Sequence, residues 1–231
     1  MPLPWPVLAS LACALVRNEA PIMALAAVLA SDAYLRPREV ANLRVAHVVT
    51  AKPFLGKSAL HTSLVLFPAE EGEPSKTLRY NDSVILDTAD REWIGPLIEE
   101  LAHRRRSEVG LFPFSQADMV QGVHQATASL GLTAWNITPY LFRHTGPSDD
   151  FVSKRRCLDA IKRRGRWASD ASVRRYEKGS RVNARLMELT KEMLRHCHQC
   201  DLNLEKVLRG IVPPPPLPTS NPFRGSRATT S

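Results

Sequence analysis

His61-Thr-Ser-Leu-Val-Leu-Phe67 and Thr77-Leu-Arg-Tyr-Asn-Asp-Ser-Val-Ile-Leu86 break the texture of a chain that otherwise reads as helix. Both runs carry β-branched and apolar residues at strand spacing. A polar stretch ending Gly72-Glu-Pro-Ser-Lys76 separates them, which predicts a small antiparallel hairpin or three-stranded sheet within Val45–Leu86. On the N-terminal side, Leu8–Val16 and Ile22–Ala33 read as Ala/Leu-rich helices, and Pro37 opens a short one with Val40 and Leu43 on one face. On the C-terminal side, helices are predicted over Glu92–Arg106, Gln116–Leu130, from Thr138-Pro139, over Phe151–Arg164 and Ser169–Lys178, and over a long amphipathic stretch, Val182–Arg209. The expected fold class is therefore mainly α with a small antiparallel β-sheet (α+β). Residues 1–181 are expected to form the main domain, 182–210 a helix packing on its own domain or on a second copy, and 211–231 a Pro-rich disordered tail.

Charge adds a location. The chain of 231 residues has a formal net charge of +8. Between Lys154 and Arg181 lie eleven basic and three acidic residues, and the remainder holds twenty of each, so the whole surplus falls in this segment. A localised surplus points to an anionic partner. The apolar run Ala20–Ala30 is too short to span a bilayer, so no membrane partner is expected. Pro2, Pro4 and Pro6 with no basic leader argue against a signal peptide, and four cysteines do not make a disulfide framework. An intracellular, reducing location is expected: the nucleus in a eukaryote, otherwise cytoplasm or nucleoid.

Within the basic segment, Gly165-Arg-Trp167 forms a tight break, and Tyr176 follows nine residues after Trp167, flanked by Arg174 and Arg175. Taken alone, Tyr176 is either an amphipathic surface residue or a nucleophile whose phenolate and target phosphate the arginines stabilise. Upstream, Thr138-Pro-Tyr-Leu-Phe-Arg-His-Thr145 sets Arg143 and His144 at a helix start, and Arg36 stands beside Pro37.

In this order the motifs resemble those of the tyrosine recombinase, or phage integrase, catalytic domain, over roughly residues 8–180. The family's first box, Gly-Leu-Arg-x-x-Glu-hydrophobic, is similar to Tyr34-Leu-Arg36-Pro-Arg-Glu39-Val40. Its hairpin lysine matches Lys76, its second box (His-x-Leu-Arg-His) resembles Tyr140-Leu-Phe-Arg143-His144, its His/Trp position matches Trp167 and its nucleophile matches Tyr176. The resemblance implies a DNA strand-transfer enzyme of mobile-element type. Tyr176 would attack a phosphodiester to leave a 3′-phosphotyrosyl link, Arg36 and Arg143 would clamp the phosphate, and Lys76 would protonate the leaving 5′-oxygen. Trp167 would pack against the phosphate or hydrogen-bond it. Neither metal nor cofactor is implied, and the partner is double-stranded DNA, with Arg163, Arg164, Arg166, Arg174 and Arg175 as further contacts. A homo-oligomer on DNA through the C-terminal helix is a further expectation.

Three departures accompany the resemblance. Tyr140 replaces the family's His or Lys three residues before the second arginine, and a phenol is a poorer general base near neutral pH. Pro147 is expected to disturb the helix after Arg143. The residues before the first helix leave no room for the family's N-terminal core-binding domain. Two other classes remain: a catalytically degenerate DNA-binding domain derived from a mobile element, and a protein-interaction scaffold using the C-terminal helix and Pro-rich tail. His196-Cys-His-Gln-Cys200 has metal-like spacing, but both cysteines share the apolar seam of Leu186, Leu189, Met193 and Leu204, which favours packing over a metal.

Overall fold

The structure, a computed structural model, describes residues 2–56, 59–72, 80–105, 110–177 and 179–224. It is mainly helical with a small three-stranded antiparallel sheet. The expected hairpin is present as β2 (Ser63–Leu66) and β3 (Asp82–Ile85), with Leu64 opposite Val84 and Leu66 opposite Asp82. A two-residue strand, β1 (Val48–Val49), pairs antiparallel to the other edge of β2. Alternation decides the faces: Leu64, Leu66 and Val84 turn into the core, while Ile85 stays exposed. Lys76 and the start of the expected second strand lie outside the described residues, as does Lys178.

Helices α1 (Trp5–Arg17) and α2 (Pro21–Asp32) form the centre. In both, nearly every side chain is buried, as expected of helices that are apolar all round. Around them lie α3 (Pro37–Ala41), α4 (Ile94–His103), α5 (Gln116–Ser129) and α6 (Pro139–Val152). The basic segment forms α7 (Leu158–Arg164), α8 (Asp170–Arg174) and a 3-10 turn, Arg175–Glu177. Then come α9 (Gly179–Met187) and α10 (Lys191–Leu208).

Three expectations are corrected, and one alternative is decided. The single helix over 182–210 is two, because Thr190 caps α10 by accepting from the Met193 N–H and starts a new helix. The seam of α10, with Met193, Cys197, Cys200, Leu204 and Val207, is buried on its own domain against α1. Residues 211–224 are not a loose tail. Arg17 donates to the carbonyls of Pro214 and Pro215, Glu192 accepts from Thr219 and Ser220, and Phe223 lies against Trp135. Finally, the predicted helix Phe151–Arg164 is interrupted: α6 runs on through Pro147 to Val152 and ends with Lys154 at φ 58°.

Gly146 explains how α6 sits where it does. A Cβ there would lie 1.9 Å from the Ser31 carbonyl oxygen and 2.6 Å from the Tyr34 ring, so only glycine permits this crossing with the end of α2. The close approach puts Arg143, one turn earlier on α6, against the Tyr34 carbonyl.

Candidate active site

Two helix ends shape the site. Helix α2 closes with the Leu35 N–H on the Ala30 carbonyl (2.9 Å) and Tyr34 in the left-handed region at φ 54°. Helix α7 closes the same way, with the Trp167 N–H on the Lys162 carbonyl (3.1 Å) and Arg166 at φ 56°. Glycine is the usual occupant of such positions. Here each larger residue is anchored. The Tyr34 hydroxyl donates to Asp150 (2.5 Å), and Arg166 donates to Glu39 (2.7 Å).

Glu39 is the hub, although it is only 4% exposed. It lies in the first turn of α3, where its carboxylate accepts from the Arg36 backbone N–H and from the Arg36 guanidinium, each at 2.7 Å. Arg166 reaches the same carboxylate, and Arg143 lies 3.7 Å from it. Three guanidiniums thus surround one carboxylate, a net charge of +2, with the Asp82 carboxylate near enough to act on Arg166. Arg166 Nε is buried without a hydrogen-bond partner.

Arg143 is 1% exposed. Its guanidinium donates to the Tyr34 and Gly165 carbonyls and lies over the Trp167 ring, 4.8 Å from its centre. Burial outweighs Glu39 and lowers its pKa to about 10. Trp167 folds back onto Gly165, where a Cβ would fall 1.8 Å from the indole, and packs against Tyr34 and Tyr176.

Tyr176 is 1% exposed, and its hydroxyl is hydrogen-bonded to His144 Nδ1 at 2.6 Å. Burial pushes its pKa up, against the pull of Arg175 and Arg143, so the phenol is the resting form. Burial, then Arg143, then Arg175, push His144 down to about 4, so its imidazole is neutral at pH 7. Tyr140, 53% exposed, sets its ring edge-on to His144 at 4.9 Å. A pocket of about 390 Å³ opens beside this pair, lined by Tyr140, His144, Ser148, Arg175, Tyr176 and Arg181 among others.

His144 makes a testable contribution to stability. Its ordinary pKa is 6.5, and the fold holds it near 4. Between those values the unfolded chain binds a proton there that the folded chain does not. Stability is therefore full above pH 6.5 and falls as pH drops towards 4, by about 2–3 kcal/mol from this group. Chemical denaturation at pH 7 and pH 4.5 should show this loss, and His144→Asn should remove that share of it.

The sequence-predicted residues fare unequally. Arg36, Arg143, Trp167 and Tyr176 come together from three parts of the chain, with Tyr140 at the edge. Arg164 and Arg166, expected on a DNA face, are corrected: their side chains are 8% and 7% exposed and bound to protein groups. Arg164 holds Asp32, Asp87 and the Ile85 carbonyl, joining α7 to α2 and β3. Arg155 and Arg156 pair with Asp87, Asp90, Asp149 and Asp150. Part of the local surplus is thus neutralised by acids outside the segment. Arg163 remains exposed beside Asp159, and Arg174 and Arg175 are exposed with no ion pair among the described residues. Glu39 as hub and His144 as partner of Tyr176 were not singled out, although both stand inside the quoted boxes.

Among the described residues, no group of three or more His, Cys, Asp or Glu side chains is arranged to hold a metal, and Cys197 and Cys200 are buried in the core. Among the described residues no helix is long and apolar enough to cross a membrane. Comparison with protein-family models, curated proteins and solved structures finds no match to this chain.

Proposed function

We propose that the chain is a DNA strand-transfer domain of tyrosine-recombinase type, cleaving and rejoining DNA through a 3′-phosphotyrosyl link to Tyr176. The observation that carries this reading is the charge balance at Glu39. Three guanidiniums on one carboxylate leave room, electrostatically, for one more anion, and a phosphodiester matches the forked geometry of arginine. The nucleophile candidate is at the same cluster, joined to it through Trp167 and Arg143. In this reading Arg36 and Arg143 steady the charge that builds on the non-bridging oxygens. Lys76, outside the described residues, keeps its proposed role as acid to the leaving oxygen.

A second reading has a specific observation in its favour. Arg143 is sealed onto two backbone carbonyls, which is also what a degenerate DNA-binding domain would retain as pure structure. One experiment separates the two. The full chain is incubated with labelled duplexes nicked near the cleavage position and randomised around it, and denaturing gels are scored for a covalent adduct. The expected result is an adduct that Tyr176→Phe abolishes while DNA binding persists. DNA binding by wild type with no adduct in the pool would establish the degenerate reading instead.

A further inference from the structure

We infer that His144 is the proton acceptor for the Tyr176 hydroxyl in strand cleavage, taking over a role that Tyr140, at the family's usual position for a base, is poorly suited to fill. The inference rests on the strand-transfer reading. Geometry carries it. Nδ1 of His144 is 2.6 Å from the Tyr176 oxygen, within the distance a proton transfer needs. In the tautomer with its proton on Nε2, Nδ1 accepts from the phenol. Tyr140 lies one helical turn earlier on α6, with its ring against the edge of His144 rather than on Tyr176.

The surroundings make this base respond to substrate. His144 stands between Arg143 on its own helix and Arg175 on the turn that carries Tyr176, and both hold its basicity down. The adjoining pocket is lined by Arg175 and Arg181 but by neither Arg36 nor Arg143, and so offers a place for a neighbouring phosphate of the DNA beside the phenol. An anion bound there offsets the field of the arginines and raises the proton affinity of Nδ1 as the attack begins. In the step itself, the Tyr176 oxygen forms a bond to phosphorus and the phosphorus–5′-oxygen bond breaks. The phenolic proton passes to Nδ1, and the leaving oxygen is protonated by the general acid. Rejoining runs the same transfers backwards, so no oxidant, reductant or nucleotide is consumed.

The test separates a base at the nucleophile from an acid at the leaving group. Adduct formation by the full chain is timed on the nicked duplex pool, made once with ordinary phosphodiesters and once with 5′-bridging phosphorothiolates, whose sulfur leaves without a proton. His144→Asn should slow adduct formation about a hundredfold on both substrates, with DNA binding retained. His144→Ala, confirmed as folded by its thermal transition, should recover activity when imidazole is added. Recovery of His144→Asn to the wild-type rate on the phosphorothiolate would place His144 at the leaving group and overturn the inference. So would an unchanged rate on the ordinary substrate, or a folded His144→Ala that imidazole does not rescue. Those three outcomes leave the strand-transfer reading standing. Absence of an adduct from wild type on both substrates would overturn that reading and this role together.

Discussion

Arg143→Ala is expected to lose about 3–5 kcal/mol of unfolding free energy, the range for breaking a buried charge from its partners. Three losses combine. The Tyr34 and Gly165 carbonyls, both in the interior, lose their donor; Trp167 loses the cation against its ring; and the site of a fully buried side chain is left as a void. Since a domain's total stability is about 5–15 kcal/mol, such a variant should unfold at a much lower denaturant concentration. Arg143→Lys restores charge but not the fork. A single ammonium is a point donor and cannot reproduce both carbonyl contacts with the planar stacking on Trp167, so it should recover less than half of the loss. Urea midpoints of the three proteins check the order. A midpoint for Arg143→Ala equal to wild type would show that the sealed arginine contributes nothing to the fold.

Glu39→Gln is the second large effect, and it works through charge. The amide can still accept from the Arg36 backbone, but the guanidiniums of Arg36, Arg143 and Arg166 would then share a largely buried cluster with only Asp82, near Arg166, to oppose them. A loss of about 3 kcal/mol or more is expected. Its signature is rescue. Sulfate or phosphate, in excess of a chloride control at equal ionic strength, should restore the mutant's denaturation midpoint more than that of wild type, because a bound anion replaces the missing carboxylate. Equal shifts in the two proteins would show that the cluster cannot take up an anion.

Much of the architecture was legible from local pattern. Glu92–Arg106 announces a helix by the spacing of Trp93, Ile94, Leu97, Ile98 and Leu101, Ile22–Ala33 by its Ala/Leu-rich composition, and His61–Phe67 announces a strand by its β-branched and apolar residues. Helix ends were less legible, for one physical reason. The left-handed residues that close α1, α2, α6 and α7 are Glu19, Tyr34, Lys154 and Arg166, not glycine, so the usual stop signal is missing. That is why the sequence carries no sign of the break near Lys154; Pro147 is a separate matter, its ring being expected to disturb α6, which runs on through it to Val152.

The site divides along a similar line. Arg36, Arg143, Trp167 and Tyr176 were legible from the order of motifs. The destinations of the basic segment were not: Arg156 meets Asp87, Arg164 meets Asp32 and Arg166 meets Glu39, and no local pattern records pairings across so much chain. Glu39 escaped notice because an acid in the first turn of a helix already has a local explanation. His144 escaped because its partner is 32 positions away, and only the fold brings them together.

The pairing of α1 with α10 has a consequence for how the molecule is made. The apolar helix α1 finds one of its main covers in α10, far later in the sequence. Contacts of such high sequence separation close late and slow the search for the native state. During translation α1 emerges early and waits, partly uncovered, until Lys191–Leu208 has left the ribosome. Protection of that waiting surface, by α2 or by a chaperone, is therefore a requirement of biogenesis rather than of the finished protein.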